Sequence, residues 1–264
     1  MRENRVRTIW QQGGAVVNGW LHIPSTFAAE TMSQTGWDSL TIDLQHGPVD
    51  YQAAVAMLQA MSATNVTPFA RVPWNEPGII MKMLDAGCYG IICPMVNSRA
   101  EAEAFVGACR YHPRGYRSHG PTRARLYAGD DYSARANDTI ITMPMIETEQ
   151  AVENIDEILS VEGVDALYVG PADLSQSYGY PPRIDVTEPF MVDKLDRIIA
   201  AAKRHNVAAG IHCAAPSYAR QMIEKGFQFV TILSDGGLLA NAARAAVEAT
   251  KGTGKNGGGP TGPY

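Results

Sequence analysis

The chain has no apolar run near the roughly 18 residues that a membrane-spanning helix needs. Its first residues, Met1-Arg-Glu-Asn-Arg-Val-Arg7, carry positive charge but lack the apolar core that a secretory signal places next. A cytoplasmic location is therefore expected. Basic residues are in deficit: the formal net charge is −5. Such a surface has no general pull on nucleic acid or anionic membrane, so an anionic small molecule must be met by a local cationic patch. Cysteine is sparse, and Cys88, Cys93, Cys109 and Cys213 form no CxxC pair, which reads as buried thiols in a reducing compartment. Neither a GxGxxG nor a Walker loop follows any apolar run, and Gly13-Gly14 is too short to replace them. Lysine is scarce as well. Lys82, Lys194, Lys203, Lys225, Lys251 and Lys255 all fall in predicted helices, at a helix end or in the tail, and none ends a predicted strand.

What is present is an alternation. Short apolar runs occur at Val16–Ile23, Ser39–Leu44, Thr67–Val72, Gly90–Pro94, Thr139–Ile146, Ala166–Gly170, Ala208–His212 and Phe229–Leu233. Continuous apolar character suits parallel strands covered on both faces. Helical patterns lie between them, among them Gln52–Ala63, Gly78–Ala86, Arg99–Arg110, Gln150–Leu159, Pro189–His205 and Ser217–Lys225. Asn65, Gly87, Gly163, Asn206 and Gly226 stand where left-handed helix ends belong. Eight such alternations predict a single closed (β/α)8 TIM barrel over residues 1–250, with 251–264 a flexible Gly/Pro-rich tail. The Arg-, Gly-, Tyr- and Pro-rich segment Tyr111–Asn137 interrupts the pattern and reads as a long loop. Its Arg114, Arg117, Arg123 and Arg125 suit an anionic substrate, a neighbouring subunit or plain solvent.

In such a barrel the chemistry sits where the strands end. The polar residues there are Trp20 and His22, Asp43 and His46, Arg71, Glu147, Asp173, His212, and Ser234-Asp235. Glu147 and Asp173 fall at the mouths of neighbouring strands about 4.8 Å apart, where two carboxylates can share a hard cation. The competing reading makes them helix-capping acids. Gly170-Pro171-Ala172-Asp173 turns from strand into helix, where free N–H groups suit a carboxylate or phosphate, or form an ordinary turn. His46 has the chemistry of a general base and Arg71 that of an oxyanion stabiliser. The alternatives are a structural or solvated imidazole, and an ion pair of Arg71 with Asp43 or Asp85. His22 and His212 lack a spaced partner for a three-His metal site, and His112, His119 and His205 read as loop or surface residues.

Trp20, Ile42-Asp-Leu-Gln-His-Gly-Pro48, Ala70-Arg-Val-Pro-Trp-Asn75, Leu84-Asp-Ala-Gly87, Pro94-Met95, Met145-Ile-Glu-Thr148 and Val169-Gly-Pro-Ala-Asp-Leu-Ser175 occur in this order. Together they resemble the HpcH/HpaI aldolase family, which includes 4-hydroxy-2-oxoheptanedioate aldolase and the 2-keto-3-deoxy sugar-acid aldolases. The resemblance runs from about residue 13 to 250 and implies a barrel of the pyruvate/phosphoenolpyruvate-domain type. It implies a class II aldolase acting on a 2-oxo acid and an aldehyde, with Mg²⁺, Mn²⁺ or Co²⁺ held by Glu147 and Asp173. It further implies that the amides of Ala172 and Asp173 meet the donor carboxylate, beside Trp20. Arg71 would stabilise the enolate oxygen, His46 act as base, and Asp85 keep His46 basic. A homohexamer with an exchanged C-terminal helix is also implied. The lysine positions fit this class, because a Schiff-base route needs a lysine at the mouth.

Two departures stand out. Gln45 replaces a charged neighbour of His46, and Met145 replaces a Gln before Ile-Glu-Thr. Both leave the donor open between pyruvate and hydroxypyruvate. An oxaloacetate decarboxylase, an acyl-CoA lyase and a non-catalytic sugar-acid binding protein are alternatives on the same barrel. No basic stretch marks a nucleotide site, and retention of Glu147, Asp173, His46 and Arg71 favours turnover.

Overall fold

The computed structural model describes residues 1–252, so the expected tail lies, beyond Gly252, outside the described residues. Eight strands appear, each within a few residues of its apolar run: β1 Val16–Leu21, β2 Ser39–Asp43, β3 Thr67–Arg71, β4 Gly90–Cys93, β5 Ile141–Ile146, β6 Ala166–Val169, β7 Ala208–Cys213 and β8 Phe229–Ile232. All neighbours pair in parallel, and β1 closes on β8 through Val16↔Phe229, so the expected (β/α)8 barrel forms.

The continuous apolar runs arise because each strand is buried on both faces. One face packs outward under the helices, as Leu40, Ile42, Ile91, Leu167 and Ile211 do. The other fills the barrel with Phe69, Ile92, Met143, Tyr168 and Phe229. Glycine is required where these side chains crowd: a Cβ on Gly90 would sit 2.0 Å from the Phe69 ring. Helix Arg5–Gln11 closes the lower end, with Val6 fully buried and the Trp10 indole donating to Gln228 O at 2.8 Å.

Gly87, Gly163, Asn206 and Gly226 take the positive φ expected of helix ends, whereas Asn65 does not. The pattern over Gln150–Leu159 is split into Glu149–Glu153 and Ile155–Leu159 around Asn154, whose amide donates to Asn97 O. Tyr111–Asn137 is not the long loop expected. It contains helix Thr122–Ala128 and the start of helix Tyr132–Thr139, whose buried faces are Ala124, Ala128, Tyr132 and Ala136. Arg117 is buried beneath them, stacked on Tyr111 at 4.4 Å and paired with Asp85 at 2.6 Å. Arg123 bonds the Ala86 carbonyl and Ser62. Both arginines are therefore structural ties on the outer wall, while Arg114 and Arg125 pair with Asp138 and Asp130 on the surface. Among the described residues no helix is long and apolar enough to cross a membrane.

Candidate active site

At the C-terminal mouth lies a cavity of about 210 Å³ walled by Trp20, His46, Arg71, Met145, Tyr168, Ala172, Asp173, Ile184 and His212. Its organising group is Asp43, the last residue of β2. The β2–β3 register sets Asp43 opposite Arg71. Arg71 clamps the carboxylate with Nε at 2.9 Å and Nη2 at 2.6 Å. His22 Nε2 at 2.7 Å, the Trp20 indole at 3.1 Å, and the Gln45 and His46 amides complete the shell. Asp43 is 0% exposed. Burial works against its charge, but the bonds from His22, Arg71 and Trp20 outweigh it and hold the carboxyl well below the usual carboxylate range. The result is a fixed anion that aims Arg71 while leaving its Nη1 without a bond among the described residues. Arg71 also lies 4.9 Å over the Trp20 ring.

Glu147 follows β5 and is buried, with Oε1 accepting from the Met95 amide at 2.8 Å. Burial pushes its carboxyl up to about 7; the Met95 bond opposes the rise, the charge of Asp173 adds to it and Arg71 opposes it. Asp173 is exposed on the cavity side of helix Pro171–Ser177. Neither acid is a cap. Thr148 caps the helix after Glu147, and helix Pro171–Ser177 has no side-chain cap, so its first-turn amides, Ala172 and Asp173 among them, have none to meet them. The close approach of this turn to Glu147 needs glycine, since a Cβ on Gly170 would come within 2.5 Å of Glu147 Oε2.

The structure thus gathers Trp20, His46, Arg71, Glu147, Ala172 and Asp173 at one mouth. Asp85 is the exception. It ends helix Pro77–Asp85, which runs from the mouth back to the start of β4, and it pairs there with Arg117. A helix returning to the next strand carries its last residue to the opposite end of the barrel, so within one chain Asp85 does not support His46.

Several groups at the mouth escape sequence reasoning. His22 and His212 end strands but show no metal spacing, and Tyr168 sits inside an apolar run like any core residue. In the fold His22 braces Asp43, while His212 Nδ1 lies 3.0 Å from the Tyr168 hydroxyl. Burial, then Arg71, lowers the His212 imidazole to about 4, a trend that Asp43 resists, so the ring is neutral at pH 7. The one signal available in the sequence was position, since both histidines close a strand.

Residues 19–242 match the model of the HpcH/HpaI aldolase/citrate lyase family. The chain belongs to that family. It is 42% identical over 244 residues to a hydroxypyruvate/pyruvate aldolase of Rhizorhabdus wittichii, covering 92% of this chain and 97% of that one. It is 35% identical over 246 residues to a 4-hydroxy-2-oxo-heptane-1,7-dioate aldolase of Escherichia coli, covering 92% and 93%. A crystal structure of an HpcH/HpaI family protein from Burkholderia cenocepacia superposes with a TM-score of 0.87 at 30% identity, covering 94% and 99%. The protein is accordingly an aldehyde-lyase enzyme of this family. In this member Met145 walls the cavity with an apolar side chain, and the buried Gln45 carboxamide oxygen accepts no hydrogen bond among the described residues.

Proposed function

We propose that this enzyme forms and cleaves 4-hydroxy-2-oxo acids from pyruvate or hydroxypyruvate and an aldehyde, with a divalent cation held by Glu147 and Asp173. The observation that carries the reading is one mouth where a carboxylate, Asp173, a fixed guanidinium and an imidazole wall the cavity, with the second carboxylate, Glu147, buried against Gly170 of that wall. Among the described residues no group of three or more His, Cys, Asp or Glu is disposed to hold a metal. In this reading the two carboxylates are its protein ligands, and water and substrate oxygens complete the shell. That hard-oxygen set fits Mg²⁺, Mn²⁺ or Co²⁺. It also fits a buried Glu147 whose charge lacks a close cationic partner among the described residues. When bound, the ion supplies Lewis-acid stabilisation of the developing enolate, several kcal/mol in comparable sites.

The chain's own residues do the rest. The free amides of Ala172 and Asp173 receive the donor carboxylate. Arg71, locked by Asp43, presents Nη1 to the 2-oxo oxygen as negative charge grows there. His46, exposed at the rim with its ring unpaired among the described residues, takes the proton of the C4 hydroxyl. The C3–C4 bond then breaks, its electrons pass into the enolate, the aldehyde leaves, and C3 is protonated. Among the described residues no lysine walls the cavity, and the proposed route forms no Schiff base.

Assembly with further copies of the chain, a hexamer by the family resemblance, belongs to the same reading. Helix Asp235–Lys251 supports it, because beyond its first turn it exposes Leu239 and Val247. The deciding experiment supplies chelated and metal-reconstituted enzyme with pyruvate or hydroxypyruvate and a panel of aldehydes. Aldol product that disappears on chelation and returns with Mn²⁺ supports the proposal. Full activity after chelation, with metal absence verified by elemental analysis, overturns the metal role. Carbon dioxide from oxaloacetate without any aldol product identifies a decarboxylase instead.

A further inference from the structure

His212 stands out among the mouth residues that the mechanism does not use. Its ring is fixed from below by a chain of hydrogen bonds inside the barrel. Asn18 Oδ1 accepts from Ser39 and Thr41 at 2.8 and 3.1 Å, which turns its amide nitrogen to donate to Thr231 Oγ1 at 3.0 Å. The Tyr168 hydroxyl gives its proton to the same Thr231 oxygen at 2.8 Å. With the Tyr168 proton assigned to Thr231, His212 Nδ1–H is the donor to the phenol oxygen and Nε2 is left as an acceptor. Trp20 holds the ring edge-on at 5.2 Å and stacks on Tyr168 at 5.7 Å.

The surroundings make Nε2 unusual. Trp20 and Tyr168 have committed their polar atoms to Asp43 and Thr231, His22 has committed Nε2 to Asp43, and Met145 and Ile184 carry no hydrogen-bonding group. Nε2 makes no hydrogen bond among the described residues, yet its ring walls the cavity. A neutral, oriented acceptor between Trp20, Tyr168, Met145 and Ile184 suits a hydroxyl group and offers nothing to a methyl.

We infer that His212 is a specificity-determining residue whose Nε2 accepts a hydrogen bond from a hydroxyl on the carbon next to a reacting carbonyl, so that hydroxylated substrates are favoured over their unhydroxylated counterparts. The inference rests on the aldolase reading and deepens it. The hydroxyl is carried either by the donor, as in hydroxypyruvate, or by the acceptor, as in glycolaldehyde. Tyr168 acts through His212 and is a positioning residue.

The test uses full-length enzyme supplied with Mn²⁺, assayed for kcat/KM in two arms. The donor arm compares hydroxypyruvate with pyruvate at fixed acceptor. The acceptor arm compares glycolaldehyde with acetaldehyde at fixed donor. In His212→Leu the preference for the hydroxylated member falls by about ten-fold or more in one arm, the loss of one oriented hydrogen bond, and that arm identifies which substrate carries the hydroxyl. His212→Gln restores part of the preference by returning a polar atom, and Tyr168→Phe lowers it by freeing the ring. Unchanged preference in both arms for His212→Leu and Tyr168→Phe overturns the inference. If His212→Leu fails to fold by circular dichroism, Tyr168→Phe decides, and an unmoved ratio overturns the inference. Exchange of pyruvate C3 hydrogens with D₂O, followed by NMR, separates the two levels. Absence of exchange in the wild type removes the aldolase reading and the inference with it. Normal exchange with unmoved ratios removes only the role of His212.

Discussion

Arg71 and His46 share a cavity, and the proposed mechanism gives them different tasks, an oxyanion donor and a base. The Arg71 fork is clamped at two nitrogens by Asp43. Arg71→Ala therefore removes a pre-aimed donor and is expected to lower kcat by about 10²–10³-fold. Arg71→Lys recovers little, because an ammonium cannot both bridge Asp43 and reach the substrate. His46→Ala is expected to cost about 10²–10⁴-fold and to flatten the acid limb of the pH–rate profile. Near-wild-type cleavage by His46→Ala, with the acid limb intact, would place the base elsewhere.

Glu147 and His212 titrate with opposite consequences for stability. Glu147 is raised from its ordinary 4.5 to about 7, so the native state holds this proton more tightly than the unfolded state. Its contribution is full below about pH 4.5 and is lost as pH rises through 7. His212 is lowered from 6.5 to about 4, so the unfolded state binds its proton more tightly. Its contribution is present above about pH 6.5 and is lost as pH falls through 4. In metal-free protein the two oppose each other between roughly pH 4.5 and 6.5. Glu147→Gln is expected to give a Tm that rises with pH across that window, and His212→Leu one that falls, relative to the wild type. Thermal melts at half-unit pH steps check this, and parallel curves for all three proteins would refute it.

At the scale of elements, the turn between β6 and helix Pro171–Ser177 depends on Gly170. Gly170→Ala drives a methyl into Glu147 Oε2 and is expected to weaken Mn²⁺ binding at least ten-fold while the protein still folds, read by calorimetry and circular dichroism. A second element is the strap that carries Ile184 into the cavity wall. Asp185 ties it to the loop after β7 by accepting the amides of Ala214 and Ala215 at 2.8 and 3.0 Å. Asp185→Ala leaves those amides unpaired and frees Ile184. The expected result is a several-fold rise in KM for the aldehyde with a smaller change in kcat, and equal effects on both constants would argue against the strap.

These elements also mark what was legible in the sequence. The eight strands were, because burial on both faces writes a continuous apolar run. The polar residues that close strands were, because the barrel collects strand ends at one mouth. Helices Thr122–Ala128 and Tyr132–Thr139 were not, because alanine and tyrosine make up their inner faces, packed over a buried Arg117, without a clear apolar period. The Arg71–Asp43 pair was legible as an alternative, but the convergence of His22 and Trp20 on Asp43 was hidden because it depends on cross-strand register, and Tyr168 because a tyrosine in an apolar run looks like core. Asp85 lies away from the mouth of its own chain, which a short motif could not show because it does not say at which end of the barrel its helix leaves it.

For the whole molecule, helix Asp235–Lys251 is the feature a lone barrel does not explain. Its 17 residues span about 25 Å. Asp235 anchors the first turn by accepting the amides of His22 and Ile23 beside the mouth. Beyond that turn the helix stands away from the core, with Leu239 63% and Val247 50% exposed among several alanines. A single helix of this length is only marginally stable in water, so its order calls for a packing surface. A second copy of the chain supplies one under the proposed assembly, and the anchor at Asp235 would then link subunit packing to the loop that carries His22. The double variant Leu239→Asp with Val247→Asp, which leaves Asp235 in place, is expected to shift the species seen by light scattering to lower mass. It is also expected to reduce aldol activity beyond any loss of folded protein measured by circular dichroism. Unchanged mass would show that this helix does not hold the assembly together, and reduced mass with full specific activity would show that the mouth is complete within one chain.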